Sequence, residues 1–133
     1  MSTGLTAIES LHGVRILLLD DDPDVRESTA LALRREGAEV VTASNGEEAV
    51  EVYAERPPDV VVSDILLPKV DGHAVLRYLR RLGMTAPAIA MTCLSAAEAR
   101  FQSAQVGFDL HLTKPIDPEV LLRAILDLLP TKH

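Results

Sequence analysis

The sequence predicts an α/β fold, a doubly wound parallel sheet of five strands with helices on both faces. Strand-like and helix-like segments alternate five times along the 133 residues, which is typical of parallel sheets with right-handed crossovers. The strand-like segments are short apolar runs, as expected for strands that are buried on both faces. Polar residues follow several of these runs directly. In open sheets of this kind, ligands bind beyond the carboxyl ends of the strands.

The first strand and helix have clear boundary signals. Residues 14–19 are a short, mostly apolar run and predict the first strand. Asp22 is a suitable N-cap for a helix that starts at Pro23 and continues over residues 24–36. Gly37 is placed to end this helix.

The middle of the chain repeats the pattern twice. Residues 38–43 contain two valines and predict the second strand, and residues 47–55 predict a short helix that ends before two prolines. Residues 59–63 are the strongest strand signal, and this strand ends at Asp64. After a loop, residues 73–82 predict the third helix.

The last part of the chain completes the alternation. Residues 86–91 predict the fourth strand, and a capping box at Ser95 opens a fourth helix that ends near residue 107. Residues 110–113 predict the fifth strand. A final helix starts at Pro118, where leucine and isoleucine recur at spacings of three and four.

Composition limits the class of protein. The length suits one domain, and a hydrophobic fraction of 47% suits a folded core. The net charge is -7, with 20 acidic residues against 13 lysines and arginines. Nucleic-acid readers usually carry a basic face, so direct binding to nucleic acid is not expected.

The cysteine content and the apolar runs bear on location. A lone cysteine, Cys93, excludes an internal disulfide and fits a reducing compartment. No apolar run approaches the roughly 18 residues of a membrane span, and residues 1–13 do not resemble a signal peptide. We therefore expect a cytoplasmic domain over residues 14–130, with a flexible leader over 1–13 and a tail over 131–133.

Three acids crowd the end of the first predicted strand. Asp20, Asp21 and Asp22 are consecutive, and like charges at one place repel each other unless something offsets them. A divalent cation is the usual reason, since Mg²⁺ is held by one or two carboxylates and often shares them with a phosphate. Acids also favour helix N-termini, but one helix cap does not need three carboxylates.

Three more polar residues end other predicted strands: Asp64, Thr92 and Lys114. Each has an ordinary structural explanation when it is taken alone. Together with Asp20 and Asp21, they supply what phosphoryl transfer needs, namely positioning and neutralisation of the phosphoryl oxygens. A carboxylate can form an aspartyl phosphate, and Asp64 is the best nucleophile because it ends a strand without two acidic neighbours. The Lys114 ammonium and the Thr92 hydroxyl can each contact a phosphoryl oxygen.

At these positions the sequence resembles the receiver domain of two-component response regulators. The resemblance covers about residues 13–130, and the order and spacing of its motifs agree with the predicted strand ends. The motifs are residues 19–23 (LDDDP), 58–68 (PDVVVSDILLP), 71–72 (DG), 87–92 and 107–115. It implies a flavodoxin-like fold of five strands in the order 2-1-3-4-5.

The resemblance implies a role for each site residue. Asp64 is the phosphoacceptor for a histidine kinase or a histidine phosphotransfer protein, and Lys114 binds the phosphoryl group. Mg²⁺ is held by Asp21, Asp64 and the backbone carbonyl of Leu66, with Asp20 acting partly through water. The domain catalyses only its own phosphorylation and dephosphorylation.

The resemblance also implies a switch. Thr92 is the switch hydroxyl, and the second switch position, usually aromatic in this family, is His111 here. Cys93 stands where the family usually has alanine or glycine, and we expect it to be a small buried residue. Phosphorylation is expected to change the surface formed by the fourth predicted helix, the fifth strand and the fifth helix, and so to alter binding of a downstream protein.

Three alternatives remain open. A small phosphohydrolase would use Asp20 as its nucleophile, although Asp24 does not fit the motif of that class and the chain leaves no room for a cap domain. An unphosphorylated interaction module of the same fold typically lacks one of the acids, the hydroxyl or the lysine, and this chain has them all. A flavin site is disfavoured, because its phosphate would meet three negative charges after the first strand.

Overall fold

The computed structural model describes residues 10–67, 71–93 and 107–130, and these ranges contain one parallel sheet with helices against both faces. The strands are β1 (Arg15–Leu19), β2 (Glu39–Ala43), β3 (Val60–Asp64), β4 (Ala88–Thr92) and β5 (Leu110–Thr113). The described helices are α1 (Pro23–Arg35), α2 (Gly46–Glu55), α3 (Gly72–Arg81) and α4 (Pro118–Leu128). The sheet order is β2-β1-β3-β4-β5, which confirms the predicted fold class and strand order. The helix predicted from Ser95 lies outside the described residues.

The helix starts follow the predicted capping chemistry. Asp22 accepts hydrogen bonds from the backbone nitrogens of Asp24 and Val25, which satisfies donors at the start of α1. Asp117 caps α4 in the same way, and Pro118 occupies its first turn. Gly37 follows the end of α1 with a φ of 98°, a value that favours glycine.

The strand boundaries differ from the prediction most at β4. This strand covers Ala88–Thr92 rather than residues 86–91. Pro87 has no backbone N–H to give to a neighbouring strand, although its carbonyl accepts a hydrogen bond from Val61. At the other end, Thr92 pairs with Thr113 of β5, so the strand carries Thr92 to the carboxyl edge of the sheet.

The sheet divides the core into two layers. On one face, alternate residues of β1, β3 and β4 pack with α1 and α4, and on the other face the remaining residues pack with α2 and α3. Leu11 is fully buried in the first layer, and its backbone nitrogen donates to the carbonyl of Glu36. The packed part of the chain therefore includes residues within the range 1–13 that we expected to be a flexible leader.

The start of α3 lies against the end of β3. Gly72 donates from its nitrogen to the carbonyl of Ile65, and a Cβ at Gly72 would overlap the backbone oxygen of Asp64. No real Cβ approaches a backbone atom so closely. Glycine at position 72 thus allows α3 to begin directly beside the backbone of Asp64.

We expect Gly72→Ala to destabilise the fold and to displace Asp64. The added methyl group would overpack the site at a cost of about 1–3 kcal/mol in the free energy of unfolding, measured by urea denaturation. Gly46→Ala is the matched control, because its Cβ would meet only the side-chain Cγ2 of Val75, at 2.9 Å. Equal losses of stability in the two variants would show that contact with the Asp64 backbone is not the cause.

None of the helices in the described ranges combines the length and the apolar character that spanning a bilayer requires.

Candidate functional site

The carboxyl edge of the sheet brings together side chains from four strands. Asp20 follows β1, Asp64 ends β3, Thr92 ends β4 and Lys114 follows β5. The pairing of Leu19 with Ser63 and of Asp64 with Met91 places the ends of β1, β3 and β4 at one level. Three of the four polar residues are buried: Asp20 is 1% exposed, Asp64 5% and Thr92 0%. Buried polar groups at a sheet edge need partners, and here they lie next to one another.

Lys114 joins the two buried acids. Its Nζ donates to Asp64 Oδ2 at 2.7 Å and to Asp20 Oδ2 at 3.2 Å. The backbone nitrogen of Lys114 donates to the carbonyl of Thr92 at 2.9 Å, so β4 fixes the place where the lysine leaves the sheet. One ammonium group therefore bridges the ends of β1 and β3.

The remaining carboxylate oxygens accept backbone donors. Asp64 Oδ1 accepts from the nitrogen of Leu66 at 3.1 Å, and Asp20 Oδ1 accepts from the nitrogen of Asp22 at 3.0 Å. The Ser63 hydroxyl donates to the carbonyl of Asp64. Both acids are thus held in fixed directions by the turns that follow their strands.

The electrostatics around Asp20 and Asp64 favour the binding of protons or other cations. Burial raises the pKa of Asp64, because desolvation of the carboxylate outweighs the hydrogen bond and the charge of Lys114. Burial also acts to lower the pKa of Lys114, but the hydrogen bonds and charges of Asp64 and Asp20 outweigh it, so the pKa of Lys114 lies above its usual value. Lys114 therefore remains protonated at neutral pH, and one ammonium does not fully offset the clustered acids.

Three carboxylates can converge on one cation. Oxygen atoms of Asp20, Asp21 and Asp64 lie within 4.8 Å of one another. Asp21 is exposed, so the group opens to solvent, whereas the other two acids form its buried wall. Carboxylate oxygens and a solvent opening fit Mg²⁺, which takes oxygen ligands and keeps several waters.

The predicted switch residues lie on neighbouring strands. Thr92 is fully buried at the end of β4, and His111 is half-buried in β5, where it pairs with Ala90. Cys93, directly after Thr92, is exposed. This exposure contradicts the expectation that Cys93 is a small buried residue.

One residue beside the site was missed by sequence reasoning. The Arg26 Nη1 donates to the backbone carbonyl of Asp20 at 2.9 Å. Its position in the first two turns of α1 put it near the acids, but arginine on a helix is usually solvated. No pattern in the sequence shows which carbonyl a guanidinium will reach.

Comparison with known proteins agrees with this geometry. The response regulator receiver domain family matches residues 16–126. An uncharacterised 14.6 kDa protein from the sodA1 3′ region of Leptolyngbya boryana is 38% identical over 89% of this chain and 92% of its own length. The response regulator MprA of Mycobacterium sp. (strain KMS) is 39% identical over 87% of this chain but only 50% of its own length. The chain thus spans about half the length of several curated relatives that it matches.

Solved structures show the same fold. The Francisella response regulator 1452 receiver domain is 27% identical, with a TM-score of 0.82 over 87% of this chain and 96% of its own. The chemotaxis protein CheY4 of Vibrio cholerae is 28% identical, with a TM-score of 0.83 over 87% of this chain and 98% of its own. With five parallel strands in the order 2-1-3-4-5 and a family match over most of its length, the chain belongs to the response regulator receiver domain family of two-component systems.

Proposed function

We propose that this chain is a phosphoacceptor that takes a phosphoryl group onto Asp64 from a histidine kinase or a histidine phosphotransfer protein. The observation that carries the proposal is the convergence of Asp64, the acid pair Asp20 and Asp21, and Lys114 at one sheet edge. This arrangement supplies a nucleophile, a fixed cation and ligands for a second cation. Phosphoryl transfer depends mainly on positioning and charge neutralisation, which are the properties that these residues have.

The chemical step uses one carboxylate of the chain. A carboxylate oxygen of Asp64 forms a bond to phosphorus while the P–N bond of the donor phosphohistidine breaks, and the imidazole leaves with the electron pair of that bond. Lys114 holds Asp64 in the direction of attack before transfer, and afterwards its ammonium neutralises a phosphoryl oxygen. The Thr92 hydroxyl is the proposed donor to another phosphoryl oxygen. The chain accelerates only the phosphorylation and dephosphorylation of its own Asp64.

Mg²⁺ is the proposed cofactor. Asp21 and Asp64, the backbone carbonyl of Leu66 and, partly through water, Asp20 are its proposed ligands. The oxygen-only donor set and the exposed position of Asp21 support this choice of metal. When bound, Mg²⁺ offsets the negative charge of the acids and of the incoming phosphoryl group.

Asp21→Asn is expected to weaken Mg²⁺ binding, because the change removes one of the three converging carboxylates while keeping the size of the side chain. We expect a loss of at least about tenfold in affinity, because loss of a mere partner of a metal ligand already costs about 10–100-fold; the affinity is measured by calorimetric titration of Mg²⁺ into the unphosphorylated protein. Asp127→Asn is the matched control, since it removes the same charge from the exposed surface of α4. An Asp21 variant that binds Mg²⁺ as tightly as the control would argue against the proposed ligand set.

The proposed output is a change of surface. Movement of the Thr92 hydroxyl toward the phosphoryl group would carry Cys93 and the following loop with it. His111 in β5 is the proposed second member of the switch. The affected surface comprises the segment predicted as the fourth helix, β5 and α4, and its proposed partner is a downstream protein rather than nucleic acid.

Beryllofluoride, which mimics the phosphoryl group, is expected to change amide hydrogen exchange around residues 92–112. The reason is that a contact with Thr92 must displace the backbone that follows it. Exchange in α2 serves as the internal reference, because this helix follows β2, which lies at the opposite edge of the sheet from β5. Identical exchange at residues 92–112 with and without beryllofluoride would contradict the proposed switch.

The proposed function includes a cytoplasmic location and no direct binding to nucleic acid. A net charge of -7 and the absence of a basic excess argue against direct binding to nucleic acid. The proposed cytoplasmic location agrees with the free cysteine, Cys93.

A further inference from the structure

Arg26 connects α1 to the backbone between the two metal-binding acids. Its Nη1 donates to the Asp20 carbonyl at 2.9 Å, and its side chain is only 18% exposed. The bond goes to a carbonyl and not to a carboxylate, so the arginine leaves the acidic oxygens free. A half-buried guanidinium with this directional bond restricts the position of the carbonyl, and its Nε also lies 3.9 Å from Glu27 Oε2 on the same helix.

The Asp20 carbonyl belongs to the peptide group that leads into Asp21. Because a peptide group is planar, fixing its oxygen also fixes the direction in which the chain leaves for Asp21. The other groups of Asp20 are held as well: its nitrogen donates to the carbonyl of Ala43 at 3.1 Å, and its carboxylate is held by Lys114 and the nitrogen of Asp22. Arg26 supplies the bond that holds the side of this turn facing α1.

We propose that Arg26 is a positioning residue for the cation site. By holding the peptide group between Asp20 and Asp21, it keeps the exposed Asp21 carboxylate within reach of Asp20 and Asp64 before any cation binds. This inference rests on the proposed Mg²⁺ site. In this role Arg26 acts through its hydrogen bond to the backbone and not through the charge of its guanidinium.

Removal of Arg26 has opposite expected effects on Mg²⁺ affinity, depending on whether the arginine acts through its charge or by positioning the backbone. A guanidinium close to a divalent cation repels it, so an effect of charge alone would make Mg²⁺ bind more tightly to Arg26→Gln. Loss of positioning would make Mg²⁺ bind more weakly, because Asp21 would have to be ordered at the expense of binding energy. Residues that hold the metal ligands, rather than the metal itself, typically change metal affinity by about 10–100-fold.

The test is calorimetric titration of Mg²⁺ into the unphosphorylated wild-type chain and into Arg26→Gln, Arg26→Lys and Arg34→Gln. Arg34 is a matched control, because it lies on the same helix and its Nη2 donates to the carbonyl of Val40 at 2.8 Å, away from the site. Arg26→Lys keeps the charge but replaces the planar fork with a single ammonium. Urea unfolding of each variant gives its stability, and amide exchange at Asp22 without Mg²⁺ reports the order of the turn.

We expect Arg26→Gln to lose about tenfold in Mg²⁺ affinity, Arg26→Lys to lose less, and Arg34→Gln to bind like the wild type. Faster amide exchange at Asp22 in Arg26→Gln is also expected. Wild-type or tighter Mg²⁺ binding by both Arg26 variants would overturn the positioning role and leave the proposed metal site intact. Failure of the wild-type chain to bind Mg²⁺ would contradict both.

Discussion

Asp64→Asn is expected to abolish Mg²⁺-dependent labelling by a phosphodonor while leaving the fold intact. The amide keeps the shape of the side chain but is not a nucleophile toward phosphorus. It also removes one of two buried negative charges that share Lys114, so the free energy of unfolding is expected to stay the same or to rise. Labelling is measured with acetyl phosphate and stability by urea unfolding.

Asp109→Asn is the matched control for this variant. It removes an acid at the opposite end of β5, where Asp109 Oδ2 accepts from the nitrogen of Ala88. The control is expected to be labelled like the wild type. Full labelling of Asp64→Asn would assign the phosphoryl group to another residue, and a loss of labelling in the control as well would point to general damage.

Lys114→Met is expected to have the largest effect on stability. The substitution keeps most of the apolar stem but leaves Asp20 and Asp64 buried next to each other without their shared cation. Removal of one partner from a buried charge cluster costs about 3–5 kcal/mol in typical cases. We expect a loss toward the lower end of that range, because Lys114 is 19% exposed. Phosphorylation is also expected to fall, since the neutralising ammonium is lost.

The pH dependence of Lys114→Met tests the same cause. Burial already raises the pKa of Asp64, and loss of the lysine removes the groups that oppose that rise. The folded variant would therefore bind more protons than the unfolded chain between the unfolded and the folded pKa of Asp64. Its stability is expected to increase as the pH falls through the folded pKa, a gain that levels off below the unfolded pKa.

The double variant Asp64→Asn, Lys114→Met completes a mutant cycle. If charge pairing causes the destabilisation, removing the second buried carboxylate should restore part of the lost stability and flatten the pH dependence. Lost packing of the lysine stem would instead make the two effects additive, so that Asp64→Asn would change the stability of Lys114→Met only by as much as it changes that of the wild type. Urea unfolding of the four proteins at two pH values distinguishes the two causes.

The strand ends were predictable because two simple signals coincide. An apolar run marks a buried strand, and the polar residue that follows it marks the carboxyl edge, as Asp20 and Asp64 do. Parallel strands bring those edges together wherever they lie in the sequence, so Lys114 reaches residues 50 and 94 positions away. The fold and the candidate site therefore follow from the same pattern.

Other features depend on which atoms the fold brings into contact, and the sequence patterns do not show those contacts. Leu11 precedes the alternating strand-like and helix-like segments, so that alternation did not indicate its burial in the core layer beside α1. Gly72 looks like an ordinary turn residue until the backbone of Asp64 is placed beside it. Arg26 resembles a solvated helix residue, and only the structure gives its partner.

The most direct measurement is to phosphorylate the wild-type chain with acetyl phosphate and Mg²⁺ and to locate the modified residue by mass spectrometry. We expect a single phosphoryl group on Asp64 that does not form when the metal is chelated. A phosphoryl group on Asp20 would instead support a phosphohydrolase and would contradict the proposed role of Asp64 as the phosphoacceptor.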